Sequence, residues 1–224
     1  MPHEDIHSAS ALMPATPATR ARERQPYECF LKRAVDLLGS SVLLCLLSPV
    51  FLAVALLVWI SDGPPIFYPR RVVGFGGEFN AYKFRTMRRN ADAILAADPE
   101  LRNAFTRDFK LKSDPRVTGV GAGLRKYSLD ELPQLANVLK GQMSLVGPRM
   151  ITAEELSKYG PYQELLLSVK PGLTGYWQIR GRQDVCYEER VRMDVQYITH
   201  WSLGLDLTIL LKTPWRVIRG EGAY

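Results

Sequence analysis

The dominant feature of the hydrophobic pattern is a run from Leu37 to Ile60 that holds no charged residue. As one straight helix it would be roughly 36 Å long, against about 30 Å of bilayer hydrocarbon. Pro49, preceded by Ser48, falls at its midpoint. A proline there removes a backbone hydrogen bond and clashes with the preceding turn, so the pattern predicts helix, break, helix. Each half is then roughly 18 Å long, too short to cross alone and long enough to dip in and return. The Ser48 hydroxyl is available for carbonyls that the break frees. Lys32 and Arg33 precede the run, and Arg70 and Arg71 follow it. Positive residues on both flanks place both ends on the cytoplasmic side. The prediction is a re-entrant membrane element over residues 31–61, with a kinked spanning helix as the alternative.

After Asp62 the pattern changes. In "GPPIFYPRRVVGFGGEFNAYKFRTM", strand-like pieces at Arg70 to Val73 and Phe79 to Met87 flank the turn "GFGG", which predicts a β-hairpin. From Asn90 to Leu111, Ala91, Leu95, Leu101 and Phe105 recur at helical spacing, with a break at Pro99. "KSDPRVTGVGAG" reads as a loop. Leu132, Leu135 and Leu139 form the apolar stripe of a further helix. The stretch "YITHWSLGLDLTILLKTPWRVIRG" predicts amphipathic interfacial helices. Trp201 and Trp215 would lie at headgroup level, with Lys212, Arg216 and Arg219 facing anionic lipid; core packing is the alternative for the tryptophans. Residues 1–30, rich in Pro, Ala and Thr and carrying Arg20, Arg22 and Arg24, read as a disordered tail without the marks of a signal peptide. The expected fold is α+β and mostly helical: tail, re-entrant element, and a catalytic domain over 62–224 with one small hairpin.

Composition narrows the function. The chain has 224 residues, 46% hydrophobic, with a formal charge of +6. That excess suits lipid headgroups, phosphorylated substrates or nucleic acid. The basic residues form no stripe with stacking aromatics, so nucleic acid is not an expected partner. Cys29, Cys45 and Cys186 are too few and too scattered for a disulfide framework or a zinc site, which fits a reducing compartment. A histidine-based centre would rest on His200 alone, since His3 and His7 lie in the tail. A G-x-G-x-x-G in "GVGAG" would need glycine where Leu124 stands, and no G-x-x-x-x-G-K-[ST] occurs.

Two acids then stand out. "SLDELPQL", residues 128–135, places Asp130 beside Glu131. Ser128 and Glu131 fit a capping box, which leaves Asp130 without a task. With Asp130 as the N-cap instead, Pro133 falls where no N–H partner is lost. The carboxylate would then sit at a positive helix end that also attracts phosphate. The alternatives are capping, or a phosphoryl-transfer site with a divalent cation. Basic residues inside apolar or Gly/Pro-shaped segments favour the second: Lys83 and Arg85 on one strand face in "KFRTMRR", then Arg125, Arg149 in "SLVGPRM", and Arg180 and Arg182. Each is costly there without an anionic partner, and a diphosphate would supply one.

The ordered set "KFRTM", "SDPRVT", "RKYSLDELPQLANVLKGQMSLVGPR" and "KPGLTGYWQIRGR" resembles the bacterial sugar transferases called monotopic phosphoglycosyl transferases, from about Leu31 to the C-terminus. The resemblance implies transfer of a sugar 1-phosphate from a UDP-sugar to undecaprenyl phosphate, with release of UMP, at the cytoplasmic face of the bacterial inner membrane. It implies a re-entrant helix broken at Ser48 and Pro49, and a catalytic dyad at Asp130 and Glu131. Asp130 would be the nucleophile and would sit at a magnesium ion; Lys83, Arg125 and Arg149 would bind phosphate. UDP-galactose or UDP-glucose is the expected donor, from the hexose-type likeness of "YEERVRMDVQYITHWSLGLDLTILLKT" and the terminal "GAY". A homodimer is compatible with the sequence and not required by it. The chain departs from the family at Arg70 and Val72, where a glutamine and an arginine are common. A non-catalytic scaffold would have lost an acid or arginine of this set, and a phosphohydrolase would have no use for the long apolar run.

Overall fold

The computed structural model describes residues 25–108, 111, 113–180 and 186–219. Most of the stretch read as a tail, Arg182 and the terminal "GAY" lie outside the described residues.

Helices α1 (Pro26–Leu46) and α2 (Ser48–Asp62) meet at Leu47 with a bend of 63°. The cause is local. Pro49 has no N–H to offer the Cys45 carbonyl one turn back, and the Ser48 hydroxyl donates to that carbonyl instead, at 2.8 Å. No single described helix is long and apolar enough to cross a membrane; the bent pair together passes by length and composition.

The amphipathicity of α1 is inverted. Glu28, Lys32, Asp36 and Ser40, four residues apart, are buried, while Phe30, Leu38, Val42 and Leu46 are exposed. Polar groups stay buried only when they are partnered. Lys32 Nζ meets Asp206 Oδ2 at 2.6 Å and the Val146 carbonyl at 2.9 Å. The Asp36 carboxylate accepts from the Ser144 hydroxyl at 2.9 Å and the Leu145 N–H at 2.8 Å.

Strands β1 (Phe67–Gly74) and β2 (Gly77–Phe84) form the antiparallel hairpin, from Phe67 opposite Phe84 to Gly74 opposite Gly77. The turn needs φ of 90° at Gly76 and 112° at Gly77, which only glycine adopts cheaply. The expected break at Pro99 separates α3 (Ala91–Ala97) from α4 (Pro99–Asp108). The supposed loop "GVGAG" is instead the start of α5 (Gly119–Lys126). Thr118 caps it by accepting from the Gly121 N–H at 2.9 Å. Gly121 is required by contact rather than by flexibility, because a side chain there would strike the Thr86 carbonyl.

A 3-10 turn (Leu129–Gln134) leads into the short α6 (Leu135–Leu139). Then comes an element the hydrophobic pattern does not reveal. Strand β3 (Ser144–Val146) pairs in parallel with β4 (Gly172–Thr174), across α7 (Ala153–Leu156), a second 3-10 turn and α8 (Gln163–Leu167). Three residues each are too few to show an alternation. The chain ends in α9 (Tyr176–Arg180), α10 (Tyr187–Thr199) and α11 (Leu203–Arg219). The main core gathers Val72, Leu135, Val138, Ile151, Tyr197 and Trp201, among others. A smaller cluster of Val54, Val58, Phe84 and Leu124 roots α2 on the domain. Trp201, expected at headgroup level, is a core residue 1% exposed, its indole N–H bonded to Asp206 at 3.0 Å. Trp215 is exposed.

Candidate active site

Asp130 and Glu131 lie in the first turn of the 3-10 helix, after Ser128 at its cap position, and not at the start of an α-helix. Ser128 stands before it in the left-handed region, φ 53° and ψ 23°, and its hydroxyl caps nothing. Neither capping arrangement forms. The reason is Pro133: it sits within the turn, which keeps tighter bonding until α6 starts at Leu135. Asp130 therefore sits within that turn rather than capping it, and side-chain cations stand around it.

Lys83 comes from β2, and Asn137 of α6 sets where β2 lies. The Asn137 side chain accepts from the Tyr82 N–H at 3.0 Å and donates to the Asn80 carbonyl at 2.7 Å, so it fills the open edge of β2 as a third strand would. The dyad turn runs straight into α6, so this clamp fixes Lys83 against the acids. Burial pushes the Lys83 ammonium down to about 8, and Asp130 is the strongest influence raising it. Arg125 extends from α5, where its Nε donates to the Thr86 hydroxyl at 2.9 Å. Burial lowers its pKa too, again opposed first by Asp130. Thr86 of "KFRTM" thus steadies Arg125, while Arg85 of the same motif turns away and caps α2 through the Asp62 and Gly63 carbonyls at 3.0 and 2.7 Å.

Arg149 is delivered by the β3–β4 pair. Gly147 and Gly172 pack backbone to backbone, leaving no room for a side chain on either. The Gly172 N–H donates to the Pro148 carbonyl at 2.9 Å, which fixes the turn before Arg149. The Arg149 N–H points to Asp194 Oδ2 at 3.4 Å, and its guanidinium lies 5.0 Å from the centroid of the Trp177 ring. Asp194 is fully buried, its carboxyl pushed up to about 7 by burial, and accepts from the Tyr159 hydroxyl at 2.7 Å.

One residue of the site escaped the sequence reading. Arg70, taken as a flank of the membrane element, stands on β1 opposite Ala81, diagonal to Lys83 on the same hairpin face. Its Nη2 meets Glu155 Oε1 at 2.7 Å, and Arg149 and Glu131 are among its charged neighbours. The two-residue alternation would have found it, given a turn placed at Phe75 and Gly76. The Glu131 carboxyl is raised by burial and by Asp130, against the pull of Arg149, Lys83 and Arg70. Lys83, Arg125 and Arg149 thus all lie within electrostatic reach of the dyad. Arg180 is exposed and rests on Tyr176.

The bacterial sugar transferase family matches residues 27–220. The chain belongs to that family. It is 47% identical over 199 residues to the undecaprenyl-phosphate galactose phosphotransferase of Salmonella typhimurium, covering 87% of this chain and 42% of that one. It is 46% identical to the exopolysaccharide production protein ExoY of Rhizobium meliloti, covering 89% and 91% respectively. To the UDP-glucose:undecaprenyl-phosphate glucose-1-phosphate transferase of Escherichia coli it is 37% identical, over 87% of this chain and 41% of the relative. This sugar transferase thus spans less than half of the Salmonella and Escherichia proteins and nearly all of ExoY.

The donor set of the sugar transferase bears on a metal. Among the described residues no three His, Cys, Asp or Glu side chains meet as a cage. Magnesium does not need one: it is commonly bound through one or two carboxylates, with substrate phosphates and water completing the shell. Two adjacent, mutually repelling carboxylates, Asp130 and Glu131, fit that pattern.

Proposed function

We propose that this sugar transferase moves a sugar 1-phosphate from a UDP-sugar to undecaprenyl phosphate, releasing UMP, and so starts assembly of a bacterial polysaccharide. The observation that carries the reading is a surplus of charge. Three cations, Lys83, Arg125 and Arg149, face the two acids, and a fourth, Arg70, stands beside them paired with Glu155. Such a surplus at a half-buried site fits a diphosphate anion.

Asp130 attacks the β-phosphorus. The bond from that phosphorus to the bridging oxygen breaks, its electron pair leaves with UMP, and a sugar phosphate stays on the carboxylate. An oxygen of the lipid phosphate then attacks the same phosphorus, the bond to Asp130 breaks, and the free carboxylate returns. Neither step needs a proton. Glu131 therefore organises charge at the site rather than acting as an acid. When bound through these two carboxylates, magnesium supplies charge neutralisation of the diphosphate. Lys83 and the arginines hold the phosphate oxygens while charge moves among them. Of the relatives described above whose names specify a sugar, the galactose enzyme is the more similar, at 47% against 37% identity, which favours galactose over glucose.

The acceptor is a membrane lipid, and three helices offer it a surface. α1 and α2 expose Leu38, Val42, Leu46, Leu52, Leu56 and Ile60. α11 exposes Leu207, Leu211, Trp215 and Ile218 along one face, with Lys212 and Arg219 at its flanks. These faces fit a bent pair that dips into the cytoplasmic leaflet of the inner membrane while α11 lies in the interface. Cysteine labelling from each side should find the segment before α1 and the domain after Asp62 in one compartment; a periplasmic N-terminus overturns the re-entrant reading. The catalytic reading is tested by a UMP-release screen of UDP-sugars with undecaprenyl phosphate present. UDP-galactose should give UMP and a lipid-linked sugar diphosphate, and release of free sugar phosphate instead would make the protein a hydrolase.

A further inference from the structure

The ties between the first and last helices leave a gap. Lys32 joins α1 to Asp206 of α11 at 2.6 Å, and Asp36 joins α1 to β3 through the Ser144 hydroxyl and the Leu145 N–H. These polar ends are occupied within the protein, since Lys32 also meets the Val146 carbonyl and Asp206 also accepts from Tyr197 and Trp201. Between the two helices, over β3, an open cavity of about 150 Å³ remains. Its apolar walls are Leu31 and Val35 of α1, Leu145 of β3, and Leu203, Leu207 and Leu210 of α11. The transfer chemistry makes no use of it.

The surroundings of the cavity point to what fills it. A leucine-lined space of this size takes a guest of on the order of six carbons, as an engineered cavity of that volume takes benzene. A second copy of the chain is too large an occupant, because a stable interface takes about 800 Å² from each partner. The α1 wall does not stop at the cavity. Leu31 and Val35 begin a stripe at helical spacing that runs on through Leu38, Val42 and Leu46, all exposed, to the bend with α2. The α11 wall continues in the same way from Leu203, Leu207 and Leu210 to the exposed Leu211 and Ile218. Both stripes are surfaces that the membrane reading assigns to lipid. The cavity is thus the sheltered end of a track that opens on hydrocarbon. With the charges at its floor paired, it suits a chain end and not a headgroup.

Resting on that membrane reading, we propose that the cavity between α1 and α11 takes the end of an acyl chain of a bilayer phospholipid, which fills the gap between the first and last helices. The test is tryptophan fluorescence of the full chain in vesicles of phosphatidylcholine brominated near the ends of its acyl chains. Trp201 stands at the cavity floor, bonded to Asp206 and with its ring 5.9 Å from Lys32 Nζ, while Trp215 is exposed farther along α11. One protein keeps Trp201 as its only tryptophan; a second keeps Trp215 as well, and the difference reports Trp215. Bromine should quench both. Val35→Phe fills the cavity from α1 and Leu207→Phe fills it from α11. Either, at unchanged helicity, should weaken the quenching of Trp201 about tenfold, the discrimination expected where a pocket lacks room for a methylene, and leave that of Trp215 as it was. Quenching of Trp215 alone, or Trp201 quenching that both filled variants keep, overturns the proposal and leaves the membrane reading standing. Quenching of neither overturns both. Quenching of Trp201 alone, lost on filling, keeps the cavity and takes α11 out of the interface. Trp201 quenching that an equal amount of undecaprenyl phosphate relieves would give the cavity to the acceptor and overturn the phospholipid assignment.

Discussion

Helix α1 and the dyad turn both bury charge, and they do so in opposite ways. On α1 every buried charge named here is answered from within the protein: Lys32 by Asp206 and the Val146 carbonyl, Asp36 by Ser144 and Leu145. At the dyad, Lys83, Arg125 and Arg149 meet two acids, and Arg70 beside them is paired with Glu155, so the cluster keeps an excess of positive charge. Answered charge holds elements together. Unanswered charge waits for a substrate. The difference comes from geometry rather than residue type, since lysine and aspartate appear in both places.

The largest break in that comparison is Asp130→Asn. An amide keeps the shape and is not a nucleophile, so transfer should fall by about 10^4-fold or more, as for loss of other catalytic nucleophiles. The melting temperature should hold, because Asp130 caps nothing. Turnover near wild type in the purified variant would return Asp130 to a structural role. The opposite pattern belongs to Lys32→Met. It strands Asp206 among Tyr197, Trp201 and Val146, and removing one partner of a buried pair costs about 3–5 kcal/mol. Denaturant melts should show that loss, while the folded fraction keeps its donor affinity; unchanged stability would mean that α1 is held by its apolar contacts alone.

A smaller effect, within one residue, sets binding against stability. With its ammonium at about 8, Lys83 loses charge as pH rises above that value, so affinity for the donor should fall by up to tenfold per unit there. Between about 8 and lysine's ordinary 10.5, the folded state holds fewer protons than the unfolded, so this group's contribution to stability rises with pH. Binding and stability should therefore move in opposite directions across that window. Lys83→Arg, charged throughout, should flatten both trends. Donor affinity that falls equally in wild type and Lys83→Arg would assign the pH dependence to another group.

What the sequence disclosed follows the reach of each constraint. The break at Ser48 and Pro49 was legible because a proline acts within one turn. The hairpin was legible from its glycines; motif and resemblance named the acids, Lys83, Arg125 and Arg149, and the fold makes them electrostatic neighbours. Arg70 needed the hairpin turn placed at Phe75 and Gly76 before alternation put it on the face of Lys83. Asn137 was not legible, because its importance lies in a pairing across distant segments, with the edge of β2. The parallel β3–β4 pair was hidden for the same reason. "TGVGAG" was misread on local grounds. Its glycines suggested a loop, although Thr118 before them is an ordinary helix cap and Gly121 answers to Thr86.

The inverted face of α1 also bears on how such a protein comes to be made. A helix with Lys32 and Asp36 on one side and Phe30, Leu38 and Val42 on the other suits neither medium by itself. In water before the domain forms, its apolar side invites aggregation. In lipid before the domain forms, its ionised side has nothing to meet. The residues that quieten those charges, Ser144, Leu145 and Asp206, emerge from the ribosome more than a hundred residues later. On the membrane reading proposed above, insertion and folding cannot be finished one after the other: α1 waits at the surface, half committed, until α11 arrives.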